Sequence, residues 1–126
     1  MKNGNYSCPF CNLEREKILE TKMSFAIYDG FPVNEGHALI IPKRHTANYF
    51  DLPLEYQNDC IQLLNRVKEI VIEKFNPAGF NVGININEAA GQTVPHVHIH
   101  LIPRYEGDVK EPRGGVRGVI PAKRSY

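Results

Sequence analysis

Tryptophan is absent, methionine occurs twice and cysteine three times in the 126 residues. So small and odd a cysteine count does not describe the disulfide framework of a secreted scaffold. No apolar run approaches the roughly 18 residues of a membrane-spanning helix, so no membrane partner is expected. The opening stretch, Met1 to Phe10, is polar and lacks the apolar core of a secretory signal, so the expected location is the cytoplasm. An excess of one charge is also missing. Fifteen basic side chains nearly cancel fourteen acidic ones. That balance argues against a broad nucleic-acid footprint, and no nucleic-acid partner is expected. There is no internal repeat and no low-complexity stretch. What is present is ordinary: 42% hydrophobic and 23% charged residues, in a length that suits one domain with its own core.

Pattern along the chain gives five strand candidates and one long helix. Lys17 to Lys22 and Ser24 to Tyr28 read as short strands with Ile18, Phe25 and Ile27 as apolar anchors. Asp29, Gly30 and Pro32 mark a turn, and Glu35-Gly36 another. His37 to Ile41 is an apolar run closed by Pro42. From Pro53 the period changes. Tyr56, Cys60, Leu63, Leu64, Val67, Ile70, Val71 and Lys74 recur at steps of three and four, one face of an amphipathic helix of about twenty residues. Asn76-Pro77 ends it. Gly79 to Ile86 and Val94 to Ile102 read as two further strands. The class is therefore α+β, a mainly antiparallel sheet packed on a helix.

The near-neutral charge hides an asymmetry. Residues 104–126 carry six basic and three acidic side chains, net +3, against −2 for the remainder. This basic tail is either a solvated extension or a segment that reaches an anionic ligand or a second subunit.

The chemistry concentrates in Pro95-His96-Val97-His98-Ile99-His100-Leu101-Ile102. On an extended backbone, alternate side chains share a face. His96, His98 and His100 form one row, and Val97, Ile99 and Leu101 form the row that faces the core. Such a histidine row serves metal binding or phosphoryl transfer, where imidazole is a nucleophile and its N–H a donor to anionic oxygens. Gly91-Gln92-Thr93 precedes the row and offers a turn, an amide and a hydroxyl suited to phosphate oxygens.

These residues resemble the signature of the histidine triad (HIT) superfamily of nucleotide hydrolases and transferases. The resemblance rests on the His-x-His-x-His row, on Gly91-Gln92-Thr93-Val94, and on Gly36-His37-Ala38-Leu39-Ile40-Ile41-Pro42-Lys43-Arg44-His45 preceded by Asp29. It runs from about Cys8 to Arg104 and is closer to the Hint- and Fhit-like hydrolases than to the larger transferases. It implies a single domain over residues 1–126, with a five-stranded, mainly antiparallel sheet on one long helix plus a short one. It implies a hydrolase that cleaves at the α-phosphate of a purine nucleotide conjugate, a dinucleoside polyphosphate or a nucleoside phosphoramidate. His98 would be the nucleophile that forms a nucleotidyl-histidine. His100, His37 and Thr93 would contact the phosphate, and Gln92 the bridging or leaving oxygen. Asp29 would bind the ribose, Asn85 would lie in the site, and Ile27 and Leu39 would line the base pocket. Relatives are homodimers, so a homodimer is expected. A nucleotidyl transferase or phosphorylase, a zinc-containing nucleotide-binding regulator without turnover, and a metalloenzyme with three histidine ligands stand as alternatives. Many relatives have glycine where this chain has Asn87. Asparagine tolerates positive φ, so the turn can survive.

Cys8-Pro9-Phe10-Cys11 has three readings: a redox dithiol, half of a zinc site, or free thiols. Two thiolates need two more ligands for zinc. In zinc-bearing relatives these are a histidine after the Ile-Pro-Lys segment and the first histidine of the row. Here they correspond to His45 and His96, so the resemblance implies a structural zinc on Cys8, Cys11, His45 and His96, with residues 1–15 as its N-terminal segment. Cys60, in the helical pattern, reads as a small core hydrophobe.

Overall fold

Apolar runs bounded by turn-forming residues become strands β1 (Leu19–Glu20), β2 (Ser24–Tyr28), β3 (Ala38–Pro42), β4 (Gly79–Ile84) and β5 (Ile99–Arg104), with helix α1 (Leu54–Phe75) between β3 and β4. The computed structural model describes residues 7–126, so the first six residues of the expected N-terminal segment lie outside the described residues. The strands form one sheet in the order β1-β2-β3-β5-β4, and every neighbouring pair is antiparallel. This is the expected α+β fold. Its short helical parts are 3-10 turns, the first at Tyr49–Asp51, where the Asn48 side chain caps the Phe50 N–H. Among the described residues, no helix is long and apolar enough to cross a membrane.

Register separates the two faces of the sheet. Ala26, Ile40 and Ile99 are cross-strand partners, and they face Cys60, Leu63, Val67 and Val71 of α1. Full burial of each Ile, Leu or Val side chain in that interface stabilises by about 1.5–3 kcal/mol. Ile27, Leu39 and His100 form the adjacent cross-strand row and so point to the opposite face. There Phe25, Ile27, Leu39 and Ile41 pack with Phe10 and Leu13 of the N-terminal segment. Strand β3 is buried throughout because both of its faces are covered.

The helix ends where the sequence says it should. Asn76 adopts the left-handed conformation with φ 50° and ψ 53°, its N–H bonded to the Ile72 carbonyl, and Pro77 follows. Gly36 then locks the β2–β3 loop against this helix end. Its φ is +88°, and a Cβ there would lie 2.8 Å from the Phe75 ring.

Several strand boundaries move: β1 shrinks to Leu19–Glu20 and β4 ends at Ile84, and the starts of β5 and β3 shift as well. β5 begins at Ile99, not at Val94, because Pro95 has no N–H and the Val97 N–H bonds the Thr46 carbonyl outside the ladder. His96 and His98 therefore precede the strand. The alternation survives on the extended approach, with Val97, Ile99 and Leu101 each only 1% exposed. β3 begins one residue late because the His37 N–H closes a turn on Asn34.

The basic tail is not a free extension. Asp108 accepts from both Arg104 Nε and the Tyr105 N–H, turning the chain after β5. The guanidinium of Arg104 holds the Asp108 carboxyl far below the usual range for a carboxylate. Two 3-10 turns follow at Gly115–Val119 and Pro121–Lys123, and Arg113 and Arg117 stack on the Tyr126 ring.

Candidate active site and cation cluster

His98 and His100 stand on the sheet face away from α1, and their ring centroids are 5.2 Å apart. Both line a pocket of about 450 Å³. The ring nitrogens can be assigned from their partners. His98 Nδ1 lies 2.8 Å from the His96 carbonyl oxygen, which can only accept. Nδ1 therefore carries the proton, and Nε2 keeps a free lone pair. His37 Nδ1 accepts from the Val33 N–H at 3.0 Å. The proton of neutral His37 is thus on Nε2, which is 3.0 Å from His100 Nδ1 and 3.5 Å from Asp29 Oδ2. His100 accepts at Nδ1, so its own proton sits on Nε2. The result is a lone pair on His98 beside an N–H donor on His100.

Electrostatics favours the neutral form of His100 and His37. Burial pushes the His100 pKa down to about 4, and its His98 and His37 neighbours add to the effect. Burial also lowers His37, against an opposing pull from the Asp29 carboxylate. A buried neutral imidazole can act as nucleophile or hydrogen-bond donor without losing a proton first.

Seven of the nine expected catalytic and nucleotide-binding residues line the pocket: His98, His100, Thr93, Asp29, Ile27, Leu39 and Asn85. The other two stand elsewhere. His37 is 2% exposed and lies behind His100, where it touches that ring rather than the pocket. Gln92 is 4% exposed, and its side chain is taken up by the loop. Its amide N–H groups go to the Ala47 and Val94 carbonyls, and its oxygen accepts from the Asn87 N–H. The Gln92 side chain thus braces the loop, with both amide N–H groups and its oxygen engaged by backbone. Asn87, the residue it braces, has φ 72° and ψ 164°. The positive φ is as expected, but the extended ψ puts it outside the left-handed helical region, in territory that strongly favours glycine.

Pro9, Phe10, Arg15 and Phe31 also line the pocket, and sequence reasoning did not place them. They come from the N-terminal segment and the loop after β2. Arg15 is carried there by a hydrogen bond to the Tyr28 carbonyl.

The first histidine of the row faces elsewhere. His96 Nε2 donates to the Pro42 carbonyl at 2.7 Å, which leaves Nδ1 with a lone pair. That nitrogen is 3.3 Å from Cys8 Sγ, 3.7 Å from Cys11 Sγ and 3.1 Å from His45 Nδ1. Cys11 Sγ is 3.2 Å from His45 Nδ1, and all four ligand atoms lie within 4.8 Å of one another. A tetrahedron with bonds of about 2.0–2.3 Å has edges of about 3.3–3.8 Å, so the quartet fits a zinc-like cation closely. The carbonyl behind His96 fixes its tautomer, as metal-ligating histidines require. The row therefore splits between two sites, one residue to the thiols and two to the pocket. A three-histidine metal centre does not form, since His96 turns to the cysteines. Asp29, His37 and His100 make a second potential cation group, tied together by the contacts already described.

Comparison with known proteins agrees with this geometry. The HIT domain family matches residues 12–107. The adenosine 5'-monophosphoramidase HNT1 of Saccharomyces cerevisiae is 40% identical over 103 residues, covering 78% of this chain and 63% of the yeast protein. The bis(5'-adenosyl)-triphosphatase of Dictyostelium discoideum is 39% identical over 103 residues, covering 82% of this chain and 69% of its own length. A zinc-bound histidine triad family protein of Mycobacterium smegmatis superposes with a TM-score of 0.69 at 35% identity, over 75% of this chain and 69% of that one. With the triad, its pocket and the matched fold on one sheet face, the chain belongs to the histidine triad family.

Proposed function

We propose that this chain is a nucleotide hydrolase that cleaves at the α-phosphate of purine nucleotide conjugates, either dinucleoside polyphosphates or nucleoside phosphoramidates. The observation that carries the reading is the His98 ring, whose Nδ1 proton is held by the His96 carbonyl while the ring lines the pocket. The names of the yeast and Dictyostelium relatives support the two substrate classes.

In this reading His98 Nε2 attacks the α-phosphorus. A nitrogen–phosphorus bond forms as the bond to the leaving group breaks, and the leaving group departs with the electron pair. Water then attacks the same phosphorus, the nucleotidyl–histidine bond breaks, and the ring regains its lone pair. The His100 N–H and the Thr93 hydroxyl donate to the phosphate oxygens as charge develops. His37 acts through His100, by fixing which nitrogen carries the proton. Asp29 accepts from the ribose hydroxyls, Ile27 and Leu39 flank the base, and Asn85 lines the same pocket.

Zinc on Cys8, Cys11, His45 and His96 belongs to the same reading, in a structural role that ties the N-terminal turn to the sheet. A cytoplasmic setting suits it, because three unpaired thiols persist where the medium is reducing. A homodimer suits it as well. β4 is paired on one side only, carries no charge or proline in Gly79–Ile84, and leaves Val82 45% exposed. Such an edge invites pairing with a second copy.

The test is a panel of adenosine phosphoramidate, diadenosine tri- and tetraphosphate and capped-RNA fragments, compared by kcat/KM. Release of AMP from at least one of them is expected. A product that incorporates added phosphate would assign the chain to the phosphorylases instead. Failure to turn over any member while still binding AMP would favour a regulator.

A further inference from the structure

Phe10 occupies a place that neither the histidine pair nor the cation cluster explains. It lies between the two thiols, in a turn where the Cys11 N–H meets the Cys8 carbonyl. Its ring stands edge-on to two histidines of different sites. The His96 ring is 5.8 Å away at 88°, and the His98 ring is 5.3 Å away at 64°. His96 belongs to the thiol cluster, His98 to the pocket. Pro9 and Phe10 also line the pocket, and Phe10 packs on the apolar group that includes Ile27 and Leu39. The two residues between the thiols are therefore part of the pocket wall.

Little else fixes this turn. Residues 7–18 form no strand. Leu13 packs on the same apolar group as Phe10, and Arg15 reaches the Tyr28 carbonyl, but both lie beyond the turn. The turn itself meets the sheet through the Phe10 ring and the Cys8 and Cys11 contacts with His45 and His96. Thiol-to-imidazole contacts are weak, whereas a cation bonded to all four atoms holds them rigidly.

We propose that cation occupancy of the Cys8, Cys11, His45 and His96 cluster sets the affinity of the pocket for nucleotide, with Phe10 as the positioning residue that couples the two. The proposal rests on the nucleotide reading above and adds a regulation to that site. A thiophilic divalent cation pins the turn, holds the Phe10 ring against His98 and completes the wall. Loss of the cation frees the turn, and the wall loosens. Linkage makes the effect reciprocal, so nucleotide must tighten the cation by the factor by which the cation tightens nucleotide.

The experiment uses the full chain loaded with Co²⁺, whose thiolate absorption reports the cluster, and the same chain after chelation. Each is titrated with AMP by calorimetry, with circular dichroism to follow the fold. The chelated protein is expected to bind AMP about three- to tenfold more weakly, the scale of one aromatic contact. AMP is expected to tighten Co²⁺ by the same factor. Phe10→Ala should bind both ligands yet lose the coupling, and Phe10→Leu serves if the alanine variant does not fold. Equal AMP affinities in the two wild-type forms would overturn the proposal. So would coupling that persists in the Phe10 variant, since global folding would then carry it. If the loaded protein does not bind AMP at all, the nucleotide reading falls. The link from cluster to pocket is still decided by the His98 ring-proton resonances, which should shift on zinc removal in the wild type and not in the Phe10 variant.

Discussion

His98 has two ring nitrogens, and the His96 carbonyl occupies one of them. The reactive atom is thus chosen by backbone rather than by another side chain, and it cannot be lost by a single substitution at a partner residue. Removing the ring itself should be decisive. His98→Ala is expected to lower turnover by about four orders of magnitude or more, as loss of a covalent nucleophile does, while AMP binding survives. Parallel steady-state kinetics and AMP calorimetry check this, and near-normal turnover in the purified variant would end the assignment. The positions of His98 and His100 in the pocket were legible from the histidine row, and those of Thr93, Asp29 and Asn85 from the family resemblance. Those of Ile27 and Leu39 followed from the family resemblance, and strand register puts both on the face of His100. The loop-bracing bonds of Gln92 were not legible, because a polar side chain beside a phosphate-type turn serves ligand and loop equally well in sequence. Phe10, Arg15 and Phe31 could not be read, because their segments reach the pocket only through tertiary docking.

At the scale of elements, the loop between β4 and β5 carries the strain. Asn87 is held at φ 72° and ψ 164° by its N–H bond to the Gln92 side chain and by its carbonyl, which accepts from the Ala90 and Gln92 N–H groups. A non-glycine residue there costs about 1–3 kcal/mol, and glycine's extra freedom in the unfolded chain costs about 0.5–1. Asn87→Gly is therefore expected to stabilise the fold by about 1 kcal/mol. Chemical denaturation measures it, and a destabilised variant would show that the asparagine side chain contributes a bond worth more than the strain. The strands and helix were legible because their apolar period is strong. Their ends were less so. Pro95 and the turn at His37 delay the starts of two strands, as the Val97 and His37 N–H groups bond carbonyls outside the ladder, which no period records.

For the whole molecule, the histidines set the acid limit. Burial lowers His37 and His96, and it lowers His100 to about 4. An unfolded chain takes up these protons near 6.5, so below that pH it binds more protons than the folded one. Stability is then complete above about pH 6.5 and declines as the pH falls through the folded value of about 4. Urea midpoints at pH 7, 5.5 and 4.5 should fall in that order, and His100→Gln should flatten the decline. Midpoints that stay constant across the series would contradict the burial argument. The cysteines divide the molecule differently. Cys8 and Cys11 sit at the turn, whereas Cys60 is fully buried under the sheet, and burial pushes its thiol up to about 12. An alkylating reagent needs both access and a thiolate, and the folded chain offers neither at Cys60. That thiol is consequently a clock. Label accumulates on it only as often as the helix parts from the sheet, so the chain carries its own reporter of how rarely it opens.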